Sequence, residues 1–295
     1  MDAAVLKNEF GFYELVEKPT LEVLKAYYAE KYYQNAEGSY EVSYSDAEKS
    51  YFRNKVAQKL LAASKHIALP KGRAPAFLDV GAGEGWSLAY FHDLGWECVG
   101  LDFSSYGCAS QNPRVQQHLT AGDIYESLAS LIGSGRRFDL IMLDNVLEHV
   151  LEPLGLLVKL RELLEPQGVL IVDVPNDFSV LQEHLLEKGY IDNRFWVVAP
   201  DHISYFGPES LAALVRAAGW KVQTMMTDFP IDFSLANPLT NYVRDGKVGK
   251  SCHRVRVEIE NLMHAISPEK TVVLYEALAN LGLGRALTAV LSVDS

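Results

Sequence analysis

The stretch Phe77-Leu78-Asp79-Val80-Gly81-Ala82-Gly83-Glu84-Gly85-Trp86 decides how the chain is read. Phe77, Leu78 and Val80 form an apolar, β-favouring run, and Gly81, Gly83 and Gly85 follow where a strand must turn sharply and open a helix. Such a turn is a nucleotide-binding device. Glycine lets the backbone approach a ligand, and a helix starting near Gly85 or Trp86 adds unpaired N–H groups and a positive dipole end. The spacing narrows the ligand. A dinucleotide fingerprint that begins at Gly81 needs its third glycine where Trp86 stands. Asp79, at the strand's end, repels a pyrophosphate but accepts hydrogen bonds from an ammonium. The pattern therefore favours a ligand with a cationic or hydrogen-bond-donating part.

Outward from this turn, strand and helix patterns alternate, as a doubly wound α/β domain requires. A helix over Trp86–Leu94 leads to a second strand, Glu97–Asp102. Asp102 lies about 20 residues beyond the turn, where an acidic side chain accepts from ribose hydroxyls. Phe103 beside it is placed to line an adenine, and Ser104 reads as the N-cap of the next helix. A third strand is expected from Val115 to Leu119, followed by Ala121-Gly122-Asp123-Ile124, where Asp123 alone reads as a helix cap. Phe138–Asp144 is the fourth strand, and it runs into Asn145-Val146-Leu147-Glu148-His149-Val150. After a helix over Leu154–Leu164, stopped by Glu165-Pro166-Gln167-Gly168, Val169–Val174 is the fifth strand. Its exit, Pro175-Asn176-Asp177-Phe178, points into the crevice where open α/β sheets bind ligands. Lys221–Met226 and Ala286–Val293 supply the sixth and seventh strands.

The glycine turn, in series with Asp79, Asp102, Asp123 and Asp144, resembles motif I and the following motifs of the class I S-adenosylmethionine-dependent methyltransferases. The resemblance covers residues 76–226 and extends more loosely to the ends. Glu148-His149-Val150 resembles the motif IV region of many small-molecule methyltransferases. Asp201-His202-Ile203-Ser204-Tyr205-Phe206 resembles a string in bacterial methyltransferases of sugar and polysaccharide biosynthesis. The family implies a Rossmann-like, seven-stranded, mostly parallel sheet whose last strand is antiparallel and lies beside the sixth. It implies S-adenosylmethionine as cofactor, with S-adenosylhomocysteine as product. The cofactor would then be held by Asp79, Gly81, Ala82, Gly83, Asp102 and Phe103, by Asp123 and Ile124 around the adenine, and by Asp144 and Asn145 near the methionine part.

Methyl transfer is an in-line displacement at an activated carbon, so the protein must align a nucleophile and shield the site. A hydroxyl acceptor also needs a base. His149 is the first candidate and His202 competes with it, because histidine titrates near neutral pH. For each the alternative is a structural histidine that pins a loop. Asn176, Trp196 and Tyr205 are candidate acceptor contacts, against turn chemistry for Asn176 and a buried loop anchor for Tyr205. The acceptor expected is a sugar or sugar-nucleotide hydroxyl; nitrogen and carbon acceptors stay open. A nicotinamide-dependent oxidoreductase and a non-catalytic cofactor-binding protein are the other classes, disfavoured by Trp86 and by the intact carboxylate series respectively. No strong metal-ligand spacing is present, and no metal is assigned.

The chain divides on this reading into an N-terminal helical cap (1–75), a methyltransferase core (76–228 and 285–295) with a lid insertion (176–207), and a helical insertion (229–284). In the cap, Leu21, Leu24, Tyr28 and Tyr32 recur at helical spacing, Tyr32 to Tyr40 make a turn-rich connector, and a helix over Asp46–Ser64 carries Tyr51, Val56, Leu60 and Leu61 on its apolar face. With 27 Lys plus Arg against 38 Asp plus Glu, the charge of −11 argues against a broad nucleic-acid or anionic-membrane footprint. Cys98, Cys108 and Cys252 show neither zinc spacing nor an even count, which suits a reducing cytoplasm. No apolar run approaches the roughly 18 residues of a membrane span. A small molecule is the expected partner, and a homodimer stays open.

Overall fold

The computed structural model describes residues 4–20, 22–24, 27 and 43–293. Leu21, Tyr28, Tyr32 and the connector to Tyr40 lie outside the described residues. The chain begins with two short strands rather than a helix: β1 (Val5–Lys7) pairs antiparallel with β2 (Tyr13–Leu15). Phe12 and Leu15 are buried there, and β2 continues onto Ser204 and Tyr205 of the lid. The helical expectation for the first residues is corrected accordingly. Three-residue strands carry too few side chains to show a period, and their partner is remote in sequence.

The first long helix, α1 (Asp46–Ser64), starts on a capping box: the Ser45 backbone N–H donates to Glu48 at 2.8 Å, and Glu48 N–H donates back to the Ser45 hydroxyl at 3.3 Å. Tyr51 and Val56 of the expected face are buried and Leu60 and Leu61 pack against the same core, but the buried stripe also takes in a lysine. Val56, Lys59, Ala62 and Ala63 are buried, whereas Leu60 and Leu61 are only partly so.

The central sheet contains β3 (Ala76–Val80), β4 (Glu97–Asp102), β5 (Leu119–Ala121), β6 (Phe138–Asp144), β7 (Leu164–Pro175), β9 (Trp220–Thr227) and β10 (Ala286–Val293). Their order is β5-β4-β3-β6-β7-β10-β9. The first five run parallel, and β10 is antiparallel to both β7 and β9. The two-residue β8 (Ser204–Tyr205) belongs to the small N-terminal sheet. The expected third strand starts late: Pro113–His118 is a 3-10 turn and only Leu119–Ala121 pairs with β4. Glu165–Gly168 interrupts the β6–β7 register instead of lying outside the strand.

Both faces of the sheet are covered, so its strands bury alternate residues in two separate cores. Leu78, Val80, Ile141 and Leu143 face helices α4 (Ile124–Gly133), α5 (Pro153–Glu162) and α7 (Pro208–Ala217). Phe77, Leu140 and Met142 face α1, α2 (Trp86–Asp93) and α9 (Pro268–Asn280). Each such fully buried side chain contributes about 1.5–3 kcal/mol. The 229–284 segment supplies α8 (Gly249–Ile266) as well as α9. It is held to α1 by a buried ionic cluster in which Arg256 bonds Asp228 and Glu260, Lys55 lies 3.4 Å from Asp228, and Tyr275 donates to Glu260 at 2.6 Å. Although burial opposes its charge, Lys55 and Arg256 hold the Asp228 carboxyl down at about 2. The three thiols are buried and unpaired, and burial pushes Cys98 up to about 12. Among the described residues no helix is long and apolar enough to cross a membrane.

Candidate active site at the carboxyl ends of the strands

Strand order reverses between β4 and β6 on either side of β3, and this switch point opens the crevice into which the glycine turn projects. Gly81 has φ +80°, and a Cβ there would stand 2.2 Å from Val146 Cγ2, so no other residue fits. The Gly81 and Ala82 amides donate to the Leu101 carbonyl at 2.8 and 3.0 Å, locking the turn against β4. Asp102 fixes its tip: one carboxylate oxygen accepts from Gly83 N–H at 2.8 Å and the other from Ser104 N–H at 2.9 Å. Each oxygen retains a lone pair for a further donor. Helix α2 opens on Gly85 without a side-chain cap. The next short helix, α3 (Tyr106–Gln111), has Ser105 at its N-cap position, while the Ser104 hydroxyl accepts from Tyr106 N–H at 3.1 Å.

Carboxylates converge at this point. Asp79 is buried, and burial, together with the charges of Asp144 and Asp102, pushes its carboxyl up to about 8. Lys59 reaches in from α1, 2.5 Å from Asp144 and 3.1 Å from Asp173. Burial works against its charge, yet the two carboxylates hold its ammonium above the usual lysine value. Thr288 donates to Asp173 as well. A crevice with this excess of negative charge suits a cationic ligand, and the ammonium and sulfonium of S-adenosylmethionine fit it. Lys59 was not anticipated; its signal was a charged residue three positions after Val56 and four before Ala63, within the buried stripe of a helix. Glu84 was also missed. It accepts from Tyr44 O–H at 2.9 Å and Trp86 Nε1 at 2.8 Å, tying the N-terminal segment to the glycine turn.

Beyond the end of β5, Asp123 caps α4, accepting from Tyr125 N–H at 2.9 Å and Glu126 N–H at 3.3 Å. Ile124 is buried in the core and Phe103 is partly buried against it.

At the exit of β6, Asn145 takes a left-handed conformation (φ +52°) and donates to Asp144 at 2.8 Å. The following turn places His149 beside His202 from the lid, ring centroids 4.9 Å apart. His149 Nδ1 lies 2.7 Å from the Asp201 carbonyl oxygen, which only accepts; Nδ1 therefore carries the proton and Nε2 the lone pair. Nε2 lies 3.7 Å from Glu148, whose carboxyl is 1% exposed. Burial, with Asp177 and Asp173 nearby, holds that carboxyl well above the ordinary range. The lid is anchored here by Ile203 N–H donating to the Glu148 carbonyl.

The three expected acceptor contacts sit differently. Tyr205 is buried and donates to the His202 carbonyl at 2.9 Å, so it pins the lid. Trp196 is wholly buried in a third apolar cluster with Leu185, Ile191 and Leu235. Asn176 is buried and donates to the Gly284 and Gly282 carbonyls at 3.0 and 3.3 Å, tying the β7 exit to the turn before β10. All three anchor protein, not an open wall, because the aromatic density of the lid packs inward on Phe178 and Phe195. Asp177 pairs with Arg285 at 3.0 Å beneath them.

Comparison with known proteins agrees with this geometry. Residues 50–225, well over half of the chain, match the methyltransferase domain family. A ubiquinone biosynthesis O-methyltransferase of Cereibacter sphaeroides is 29% identical over 153 residues, which are 48% of this chain and 58% of that protein. The chain thus spans somewhat more than half the length of that curated relative. Among solved structures, a methyltransferase from Archaeoglobus fulgidus superposes with a TM-score of 0.50 at 17% identity, over 84% of this chain and 99% of that one. The 1,6-didemethyltoxoflavin-N1-methyltransferase of Burkholderia thailandensis, solved with S-adenosylhomocysteine, gives 0.52 at 16% identity over the whole of both chains. These two likenesses are of fold. The family match joins them to the glycine turn and the carboxylate-lined crevice, and the chain belongs to the methyltransferase domain family, as a class I methyltransferase whose cofactor is S-adenosylmethionine.

Proposed function

We propose that the protein methylates a hydroxyl of a small polar acceptor, with the acceptor's proton removed at the His149–His202 pair. The observation that carries the reading is the tautomer of His149: Nδ1 is committed to the Asp201 carbonyl, which leaves Nε2, 3.7 Å from Glu148, as the ring nitrogen to take a proton. S-adenosylmethionine supplies the activated methyl carbon. When it is bound, Asp102 would accept from the ribose hydroxyls with its remaining lone pairs, and the Gly81–Gly83 backbone would hold the methionine part. Asp79 and Asp144, beside Asn145, would meet the ammonium, while Phe103, Asp123 and Ile124 would hold the adenine. Lys59 positions Asp144 and keeps the carboxylates from repelling one another apart.

The acceptor is a sugar or sugar-nucleotide hydroxyl. The Asp201-His202-Ile203-Ser204-Tyr205-Phe206 lid supports this, and so does a dedicated base, since such a hydroxyl is far less acidic than a phenol, whose ordinary value is about 10. A second reading, O-methylation of a phenolic or quinol hydroxyl, is favoured by the name of the Cereibacter sphaeroides relative. Transfer of labelled methyl from S-adenosylmethionine to parallel panels of sugar nucleotides, quinols and amines separates the two. Label in a sugar hydroxyl is expected; label only in quinols establishes the second reading, and label only in amines overturns both.

A further inference from the structure

Neither carboxyl oxygen of Glu148 has a hydrogen-bond partner among the described residues, although the side chain is 1% exposed. A buried carboxyl without a donor costs stability unless something else meets it. Its surroundings show what that is. One ligand atom each from Glu148, His149 and His202 lies within 4.8 Å of the other two. His149 is already oriented as a metal ligand, with its far ring nitrogen donating to a backbone carbonyl and its lone pair turned to Glu148. The Nε2 to Glu148 oxygen separation of 3.7 Å approaches the edge of a tetrahedral site, where bonds of about 2.1 Å place neighbouring donors about 3.4 Å apart.

We propose that Glu148, His149 and His202 bind one divalent transition-metal cation. Two imidazoles and one carboxylate suit Zn²⁺ and its first-row neighbours, whereas Mg²⁺ and Ca²⁺ prefer all-oxygen sets. Three protein ligands leave a position open toward the crevice, where an acceptor hydroxyl or a water binds, and the cation lowers the pKa of either. This deepens the reading of the histidine pair as the place of proton removal and rests on it only for its catalytic meaning; the binding site stands on the donor geometry.

The test is calorimetric titration of the chelator-stripped full chain with Zn²⁺ alone, with S-adenosylhomocysteine titrated into the same samples as a check of fold. One tight equivalent is expected. Glu148→Gln and His202→Ala should each weaken it at least tenfold while leaving S-adenosylhomocysteine affinity within about twofold, and Mg²⁺ in excess should not compete. Absence of the tight equivalent, or its persistence unchanged in folded Glu148→Gln and His202→Ala, overturns the proposal. Either result is read without turnover, so it is independent of whether a hydroxyl proves to be the acceptor.

Discussion

The two halves of the crevice are built on different principles. The proposed cofactor half, at the ends of β3, β4 and β6, is centred on a backbone turn: a glycine loop whose tip is held by Asp102, 19 residues from Gly83, with Lys59 brought in from α1 to Asp144, 85 residues away. The proposed acceptor half is made of side chains on loops: it draws together His149, Asp201 and His202 from segments 52 residues apart, and the side chains expected to form its wall are spent on anchoring the lid.

This contrast is broken most forcefully at His149. His149→Ala should lower kcat by about 10²–10⁴-fold with little change in cofactor affinity, if His149 belongs to the proposed place of proton removal and not to the cofactor half. A loss of S-adenosylhomocysteine binding of the same size would mean that the two halves are not separable. Lys59→Met should come next. It leaves Asp144 and Asp173 without their buried counter-charge and should cost about 3–5 kcal/mol, read as a fall in urea midpoint at unchanged slope.

A smaller effect is expected from Asp79. Its folded carboxyl lies at about 8, above the ordinary value, so its contribution to stability is complete at low pH and is lost as pH rises toward 8. A cationic ligand favours the charged form. S-adenosylhomocysteine affinity should therefore rise up to tenfold per pH unit below about 8 and then level off, and Asp79→Asn should flatten the profile. The smallest change is Asp123→Ala, about 1 kcal/mol of stability from the lost cap of α4. A weakening of cofactor affinity in addition would support the adenine role, and stability loss alone would leave only the cap.

The same contrast explains what was legible in the sequence. Gly81 and the strand pattern could be read because each requirement is met within a few residues, and Asp102 because one helix and one strand set its spacing of 19 residues from Gly83. The apolar face of α1 is legible at Tyr51 and Val56, but hydrophobic periodicity counts Lys59 as surface, whereas two strand-end carboxylates make burial of the lysine favourable. Trp196 and Tyr205 read as a substrate wall because an aromatic ring has the same sequence signature whether it lines a cavity or fills one. Glu148 adjoined a recognised histidine, but that its oxygens meet no donor is a three-dimensional fact.

The central claim is that the strand-end carboxylates hold the cofactor independently of the histidine pair. Calorimetric titration of S-adenosylhomocysteine into the wild-type protein, Asp102→Ala and His149→Ala tests it most directly. Wild type and His149→Ala should bind alike, with Asp102→Ala weaker by about 10–100-fold, the worth of hydrogen bonds to a charged group. Equal affinity in Asp102→Ala and wild type would contradict it.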